Sequence, residues 1–384
     1  MRIMISCGEA SGDLYAGALA SELYRRMPAA DIFGFGGQRL QAAGGRLVGD
    51  YAPLSVTGLT EALRVVPRSF AMLRRLVDTA RDLRPHVFVA IDFPDFNFRL
   101  MAALRRLGIP IVYYISPQLW AWRPGRMDTM KAHVDQVLVI FPFEQELYAR
   151  AGVKAEFVGH PLVDLTGAGR ERASFLRQLG LVPERPTVAL LPGSRRNELD
   201  RIMPVLAEAL PLIRARVPGV QFVVAGAPSL PDALFAPLGD GGAESGLVLV
   251  REQTDDVLAA CDVVITASGT ATIQCALHEK PMVVVYRVSP MTYRLGKRFL
   301  HVDMFAMPNL IAGHRVVPEL IQDDFTAERT AAETVALLTD PDRGAATREA
   351  LRHVREQLGA PGASGRAADA VLRVASGYQQ PTTS

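Results

Sequence analysis

Short runs of apolar and β-branched residues alternate with longer segments of helical periodicity along the whole chain. In the first half, the runs typical of strands are "RIMIS", "DIFGFGG", "HVFVAID", "IPIVYYIS" and "QVLVIF". In the second half they are "TVALLPGS", "VQFVVAG", "GLVLV", "DVVITASGT" and "PMVVVYR". Strands that alternate with helices form parallel sheets covered by helices on both faces. The pattern therefore predicts an α/β protein with two doubly wound, Rossmann-like domains.

The two predicted domains meet at a segment rich in glycine and proline, "FVGHPLVDLTGAGRER". A chain of 384 residues with 49% hydrophobic content is also too long for one compact core. We predict a first domain at 1–165, a second at 166–344 and a cleft where they adjoin. Helices at about 345–376 would return to the first domain, of the same chain or of a partner, before a disordered tail at 377–384.

Charge and cysteine content exclude several classes of protein. Forty-two basic residues against forty acidic ones give a formal charge of +2, which argues against a protein that grips nucleic acid. Cys7, Cys261 and Cys275 have no metal-like spacing, so we expect neither disulfides nor zinc, but a reducing cytosol. No apolar stretch reaches the roughly 18 to 20 residues of a membrane span. The sequence predicts a soluble or peripheral protein.

The turn after the first strand, "GEASGD", combines glycines with two carboxylates. Its spacing matches neither the dinucleotide G-x-G-x-x-G nor the lysine-bearing phosphate loop, and its acids would repel a phosphate. Carboxylates at such a turn can accept hydrogen bonds from sugar hydroxyls. A second interpretation, equally weighted, is that Ser11 or Asp13 only caps the following helix.

Asp92 ends the strand "HVFVAI", at the edge where parallel sheets present functional side chains. It is a candidate general base, although a buried ion pair is the more frequent use of such a residue. Asp95 follows Pro94 and is placed to be an N-cap. Trp120 and Trp122, in "SPQLWAWRPGR", can stack on a sugar or contact acyl chains, or pack beneath their loop.

Two turns of the second half, "LPGSRRNE" and "TASGTATIQ", are better phosphate candidates. Ser268, Gly269 and Thr270 offer hydroxyls and backbone N–H groups at the start of a helix, and Arg195 carries a guanidinium suited to a diphosphate. An exposed surface charge is the alternative for Arg195. Because no His, Cys and Asp cluster has metal-site spacing, arginine and helix dipoles would neutralise a diphosphate without a metal ion or other cofactor.

A basic amphipathic segment occupies residues 56–85. Its apolar side chains include Val66, Phe70 and Leu73, and its cations include Arg74 and Arg75. Such a segment either docks on an anionic membrane or packs on a sheet with its arginines in water.

Ten motifs in order resemble those of the lipid-A-disaccharide synthases. They are "GEASGD", "GFGGQRLQAAG", "VTGLTEAL", "IDFPDFN", "YYISPQLWAWRPGR", "VGHPLVD", "LLPGSR", "ASGTAT", "YRVSPMTYRLGKR" and "MPNLIAG". The resemblance implies the GT-B architecture, with two facing domains. It also implies inverting transfer of 2,3-diacylglucosamine from its UDP form to the 6-hydroxyl of 2,3-diacylglucosamine 1-phosphate.

The same resemblance assigns roles to residues, with Asp92 as the general base. The acceptor and sugar side would comprise Glu9, Ser11, Asp13, Asp95, Asn97 and Trp120. The UDP side would comprise Gly193, Ser194, Arg195, Ser268, Gly269, Thr270, Gln274, Asn309 and Gln322. Acyl chains or the membrane would contact Val66, Phe70, Leu73, Arg74 and Arg75.

Gln274 departs from the family pattern, which usually has a glutamate that can accept hydrogen bonds from both ribose hydroxyls. An amide at this position loses that charge-assisted bond.

The substrates implied are amphiphiles, so the resemblance places the protein on the cytosolic face of the bacterial inner membrane. A homodimer through the C-terminal segments is a further expectation. The rival interpretations are another GT-B enzyme, such as a polyprenyl-sugar transferase or a UDP-sugar 2-epimerase, and a non-catalytic protein that binds UDP-sugars or acts as a membrane scaffold.

Overall fold

The computed structural model describes residues 1–51, 59–117, 126–228, 230–239, 241–242, 245–288 and 304–377, with the backbone alone at 59–65. The described chain forms two compact units. The first contains Met1–Asp164 and the chain from Leu358 onward, and the second contains Leu165–Gln357. Trp120, Trp122 and the tail at 378–384 lie outside the described residues.

The first unit is built on a seven-stranded parallel sheet, counted over its described residues, in the order β3-β2-β1-β4-β5-β6-β7. Its strands are β1 (Arg2–Ser6), β2 (Asp31–Gly36), β3 (Arg46–Asp50), β4 (Val87–Ile91), β5 (Ile111–Tyr114), β6 (Gln136–Val139) and β7 (Ala155–Phe157). Its helices before the second unit are α1 (Ala10–Arg26), α2 (Gln38–Ala42), α3 (Leu59–Leu83), α4 (Pro94–Arg106), α5 (Arg126–His133), α6 (Pro142–Arg150) and α7 (Leu162–Leu165).

Central strands of this sheet are apolar at consecutive positions because helices cover both faces. All five residues of β4 are buried, as are all four of β5. One face packs Phe88, Tyr113 and Phe33 against apolar residues of α3 and α4. The strand order places the topological switch point between β1 and β4.

The second unit repeats this plan with a six-stranded parallel sheet, again counted over its described residues, in the order β10-β9-β8-β11-β12-β13. Its strands are β8 (Thr187–Leu191), β9 (Gln221–Gly226), β10 (Leu247–Arg251), β11 (Val263–Ala267), β12 (Met282–Tyr286) and β13 (Glu319–Ile321). Its helices are α8 (Arg172–Gln178), α9 (Arg196–Arg216), α10 (Thr254–Ala260), α11 (Ala271–Leu277), α12 (Met307–Ala312), α13 (Ala327–Thr339) and α14 (Pro341–Gln357), with 3₁₀ turns at Asp232–Leu238 and Gln322–Asp324.

The chain returns to the first unit later than the sequence pattern predicts. Helix α14, which covers the start of the expected segment 345–376, packs on α11, α12 and α13 of the second unit. Of the two C-terminal helices, only α15 (Ala363–Ser376) packs on α1 of the first unit. Asp164 fixes its start by accepting hydrogen bonds from the N–H groups of Gly362 at 2.7 Å and Ala363 at 3.0 Å. Since α15 is buried on its own chain, exchange with a second chain is not needed to cover it.

Within the described ranges, no helix has the length and apolar content needed to cross a bilayer. Nor do those residues contain a group of three or more His, Cys, Asp or Glu side chains that could hold a metal ion.

Candidate functional site

The switch point of the first unit brings two of the predicted motifs to neighbouring strand ends. In the pairing of β1 with β4, Ser6 lies opposite Ala90. The "CGEASGD" turn and the "DFPDFN" turn therefore leave the sheet side by side at its carboxyl edge. In open α/β sheets this edge is where ligands bind.

Asp92 and Phe93 form a strained turn at the end of β4. Both have left-handed backbone conformations, with φ of 44° and 49°. For residues other than glycine, each such conformation costs on the order of 1 to 3 kcal/mol and persists only where the surroundings enforce it. Here the carbonyl of Asp92 accepts a hydrogen bond from Asn97 Nδ2 at 2.8 Å and from Tyr113 Oη at 2.8 Å. The half-buried carboxylate of Asp92 thus projects from a backbone held in place.

Phe93 anchors the other side of the same turn. Its ring lies so close to Gly8 that a Cβ at that position would fall 2.3 Å from ring carbons. The ring also contacts Phe96 and Phe35, with centroid separations of 5.5 Å and 6.4 Å. The packing of Phe93 therefore explains why the first residue of the "GEASGD" motif, Gly8, has no side chain.

Asp13 caps the start of α2 with its carboxylate. It is 2% exposed, and its carboxylate accepts hydrogen bonds from the backbone N–H groups of Gly37 at 2.7 Å, Arg39 at 2.8 Å and Leu40 at 3.2 Å. These groups belong to the start of α2, whose N–H groups lack partners within the helix. Both oxygens of the Asp13 carboxylate thus accept hydrogen bonds from the protein itself, and its sugar contact stays a prediction. Glu9 and Ser11, half-buried at the start of α1, keep their assignment as predictions.

Asn97 ties two elements of the first unit together, and its sugar contact stays a prediction. It is fully buried on α4, and its Oδ1 accepts a hydrogen bond from Ser6 Oγ at 2.7 Å, so it ties the end of β1 to the Asp92 turn.

Asp95 is not an N-cap as predicted, because Phe93 occupies that position and Pro94 begins the helix. Asp95 is exposed and pairs with Arg126, whose guanidinium lies 5.1 Å from the Phe98 ring centroid. A sugar contact by Asp95 stays a prediction.

Cys7 adjoins this edge but is not a nucleophile. The thiol is fully buried, and burial, together with the negative charge of Asp13, raises its pKa well above the usual value. It therefore stays protonated and packs as a small apolar group.

The switch point of the second unit lies between β8 and β11, where Leu191 is opposite Thr266. The "PGSR" and "SGT" turns consequently start next to each other. Ser268 donates from Oγ to the Phe305 carbonyl at 3.0 Å, whereas Thr270 is exposed. A Cβ on Gly269, where φ is 150°, would meet nothing within 4 Å. This turn leaves room for a ligand to approach its backbone.

The "PGSR" loop is capped by a residue that the sequence interpretation missed. Glu198 Oε2 accepts hydrogen bonds from the N–H groups of Ser194 at 3.0 Å and Arg195 at 3.2 Å, and its Oε1 lies 3.2 Å from Arg195 Nη1. A Cβ on Gly193, at φ 120°, would lie 2.4 Å from this carboxylate, which explains the glycine. A glutamate three residues after the N-cap is a capping-box signal and could have been read from the sequence. These two N–H groups therefore bond to the loop's own glutamate.

Asn309 and Gln322 hold the backbone together near this edge through their side-chain amides. Asn309 is fully buried; its Oδ1 accepts from the N–H groups of Val316 and Val317, and its Nδ2 donates to Glu319 at 2.7 Å. Gln322 is 8% exposed, and its Oε1 accepts from the N–H of Val288 at 2.6 Å. Both side chains are thus engaged within the protein, and their contacts with UDP stay predictions. Gln274 is half-buried on α11, and its ribose contact stays a prediction.

The outer face of α3 presents apolar and cationic side chains together. Val66 is 50% exposed and Phe70 46% exposed, both unusual for large apolar residues. Arg74 and Arg75 are exposed nearby on the helix, while Leu73 is half-buried. The inner face, including fully buried Leu76, packs on the sheet core.

Comparison with known proteins decides the family. The family model described as lipid-A-disaccharide synthetase matches residues 3–374. A lipid-A-disaccharide synthase of Geobacter metallireducens is 45% identical over 97% of both chains, and one of Myxococcus xanthus is 41% identical over the same shares. The chain belongs to the lipid-A-disaccharide synthase family. It is therefore a glycosyltransferase, and the enzyme and family interpretations of the sequence are confirmed.

Solved structures agree on the fold. A glycotransferase of kitacinnamycin superposes with a TM-score of 0.64 at 18% identity, covering 97% of this chain and 98% of that one. A UDP-GlcNAc 2-epimerase from Neisseria meningitidis, bound to UDP-GlcNAc, gives 0.68 at 12% identity, covering 97% and 100%. At such identities the likeness concerns the fold alone, and it confirms the GT-B class.

Proposed function

We propose that the protein transfers 2,3-diacylglucosamine from its UDP-activated form to the 6-hydroxyl of 2,3-diacylglucosamine 1-phosphate. The products are UDP and a β-1,6-linked disaccharide 1-phosphate. Membership of the family supports the reaction class. The observation that carries the proposal for this chain is the Asp92 turn, a strained carboxylate-bearing turn fixed at the switch-point edge of the first unit.

In the proposed mechanism, Asp92 accepts the proton of the acceptor's 6-hydroxyl while that oxygen attacks the anomeric carbon of the donor sugar. The bond from the anomeric carbon to the UDP oxygen breaks, and the electron pair leaves with UDP. Attack on the face opposite the leaving group converts an α-linked donor into a β-linked product. Glu9 and Ser11, at the neighbouring turn, are proposed to bind sugar hydroxyls.

The second unit is proposed to bind the UDP portion at the turns after β8 and β11. Arg195 would supply positive charge for the developing diphosphate, since its side chain is 45% exposed beside the loop. Gly269 and Thr270 would approach the phosphates, and Gln274 would lie toward the ribose. We propose that this arrangement works without a metal ion, so that a chelator such as EDTA leaves turnover unchanged.

The outer face of α3 is proposed to dock on the cytosolic surface of the inner membrane. Val66 and Phe70 would enter the interface, while Arg74 and Arg75 would meet anionic headgroups. The test is flotation with anionic liposomes of an Arg74→Glu, Arg75→Glu double variant. Arg216→Glu with Arg348→Glu is the control, since it changes two exposed arginines of the second unit by the same charge. Loss of binding in the first pair alone supports the proposal, and equal partition of both pairs contradicts it.

The test of the reaction is UDP release by the purified protein given the diacylated UDP donor in detergent micelles, with and without the acceptor. Release that requires the acceptor and is lost in Asp92→Ala supports both the transfer and the base. Release without the acceptor, or epimerised donor, would favour the 2-epimerase alternative. A folded protein that binds UDP but releases none from the donor would favour a non-catalytic binding protein.

A further inference from the structure

Tyr113 lies beneath the Asp92 turn and makes one specific contact with it. The residue is on β5, next to β4 in the sheet, and is fully buried. Its hydroxyl donates to the Asp92 carbonyl at 2.8 Å, and its ring lies 6.0 Å from that of Phe98. A hydroxyl buried in the core needs a partner, and here that partner is the peptide that carries the proposed base.

Two donors from different elements converge on this one carbonyl. Asn97 Nδ2 comes from α4, after the turn in sequence, and Tyr113 Oη comes from a different strand. The N–H of Asp92 is fixed as well, because it donates to the carbonyl of Tyr114 at 3.3 Å. A left-handed pair of residues relaxes readily unless its peptide groups are held. The Tyr113 hydroxyl therefore does more than fill space in the core.

Burial raises the pKa of Tyr113 well above its usual value, and the negative charge of Asp92 acts in the same direction. The phenol stays protonated throughout the pH range in which the enzyme can work, so it remains a hydrogen-bond donor.

We propose that Tyr113 is a positioning residue for Asp92: its hydroxyl holds the peptide of the Asp92 turn, and so sets the direction from which the carboxylate meets the acceptor hydroxyl. The inference rests on the proposed role of Asp92 as base. Displacement of a general base by about 1 Å is enough to slow a reaction strongly while leaving substrate binding intact.

The experiment compares Tyr113→Phe with Tyr114→Phe in the UDP-release assay. Both changes remove one hydroxyl from a fully buried tyrosine of β5. Tyr114 makes an apt control because its hydroxyl lies near Ser364 on α15 without a well-formed hydrogen bond, away from Asp92. We expect kcat to fall about tenfold in Tyr113→Phe, with KM for both substrates within about twofold, and both constants to be unchanged in Tyr114→Phe. Circular dichroism and thermal unfolding of both variants check that the first unit, which contains both tyrosines, is folded.

A double-variant cycle separates positioning from general support of the fold. The cycle repeats Tyr113→Phe in an Asp92→Asn background, where residual turnover is followed with radiolabelled donor. Tyr113→Phe should then lower turnover little further, because the base that Tyr113 positions is already absent. A full tenfold loss in that background, or equal losses in Tyr113→Phe and Tyr114→Phe, overturns the inference. If Asp92→Asn itself turns over normally, the proposed base is wrong; if it is inactive while Tyr113→Phe is normal, only the positioning role is wrong.

Discussion

The two units have the same topology, yet the carboxyl edges of their sheets are built differently. In the first unit, the Asp92 turn is held by Tyr113 and Asn97 and wedged by Phe93 against Gly8. In the second, the turn at Gly269 is bordered by open space. An edge that must aim one carboxylate needs rigid support, whereas the Gly269 turn, unlike the "PGSR" loop capped by Glu198, leaves its backbone accessible to a ligand. The difference is consistent with the proposed division, in which chemistry takes place at the first edge and the nucleotide binds at the second.

Both units also use a buried polar side chain to hold a functional segment in place. Asp13 caps α2 through three backbone N–H groups, and Asn309 joins four groups around β13. These residues belong to family-like motifs but act on the protein itself. Membership of a motif therefore does not by itself show that a side chain contacts the substrate.

The largest effect is expected at Asp92. Replacement by asparagine keeps the size of the side chain and removes the base, so kcat should fall about 10²- to 10⁴-fold while KM for the donor changes little. Steady-state kinetics of UDP release measures both constants. A loss confined to donor KM would contradict the assignment of chemistry to the first edge.

The two buried supports should matter mainly for stability. Asp13→Ala leaves three backbone N–H groups without their acceptor, and Asn309→Ala leaves both donors and acceptors unpaired, so each should lower the free energy of unfolding by about 3 kcal/mol. Urea denaturation measures this quantity, with the exposed Asp82→Ala and Glu184→Ala as surface controls. If either variant is as stable as the unchanged protein but no longer binds substrate, the residue contacts the ligand and is not mainly a support of the fold.

Arg195 should affect binding of the donor. Arg195→Ala removes a charge-assisted contact to the diphosphate, so KM for the UDP donor should rise about 10- to 30-fold, with partial recovery in Arg195→Lys. Arg196→Ala, at the next position, which is also exposed, is the matched control. Equal behaviour of the two alanine variants would mean that Arg195 is an ordinary surface charge.

The smallest effects come from the two glycines that define the edges. Gly8→Ala forces a Cβ into the Phe93 ring and should destabilise the protein by about 2 kcal/mol. Gly269→Ala meets no atom within 4 Å and adds only the cost of its unusual φ, about 1 kcal/mol. Thermal unfolding compares the two. A larger loss at Gly269 would show that the second edge is the more tightly packed.

Much of the fold could be predicted because it follows from local periodicity. The buried runs that became β4 and β11 have a composition that only a sheet covered on both faces explains. The short edge strands β3, β7 and β13 were not predicted, since three to five residues with mixed burial carry little signal. The end of the second unit was placed too early because α14 and α15 have similar helical patterns, and only packing distinguishes their partners.

The candidate site was predicted in outline, through the turns at strand ends, but the roles within it were not separable. Asp13 and Glu9 look alike in the sequence, yet one is buried under α2 and the other is half-exposed. Glu198 could be recognised from its capping position. Tyr113 carried no signal of a role at the site, because a tyrosine in an apolar strand is typical of the hydrophobic core.

The sequence by itself determined the α/β class, the family and the turns at which chemistry is expected, since each depends on residues close together in the chain. The tertiary structure decided which side chains of those turns face the protein. Ser6 and Asn97 are 91 residues apart and share a hydrogen bond, and Tyr113 reaches Asp92 from a neighbouring strand. Such contacts depend on strand order and helix packing, which no local pattern specifies, and they fix the conformation of the Asp92 turn.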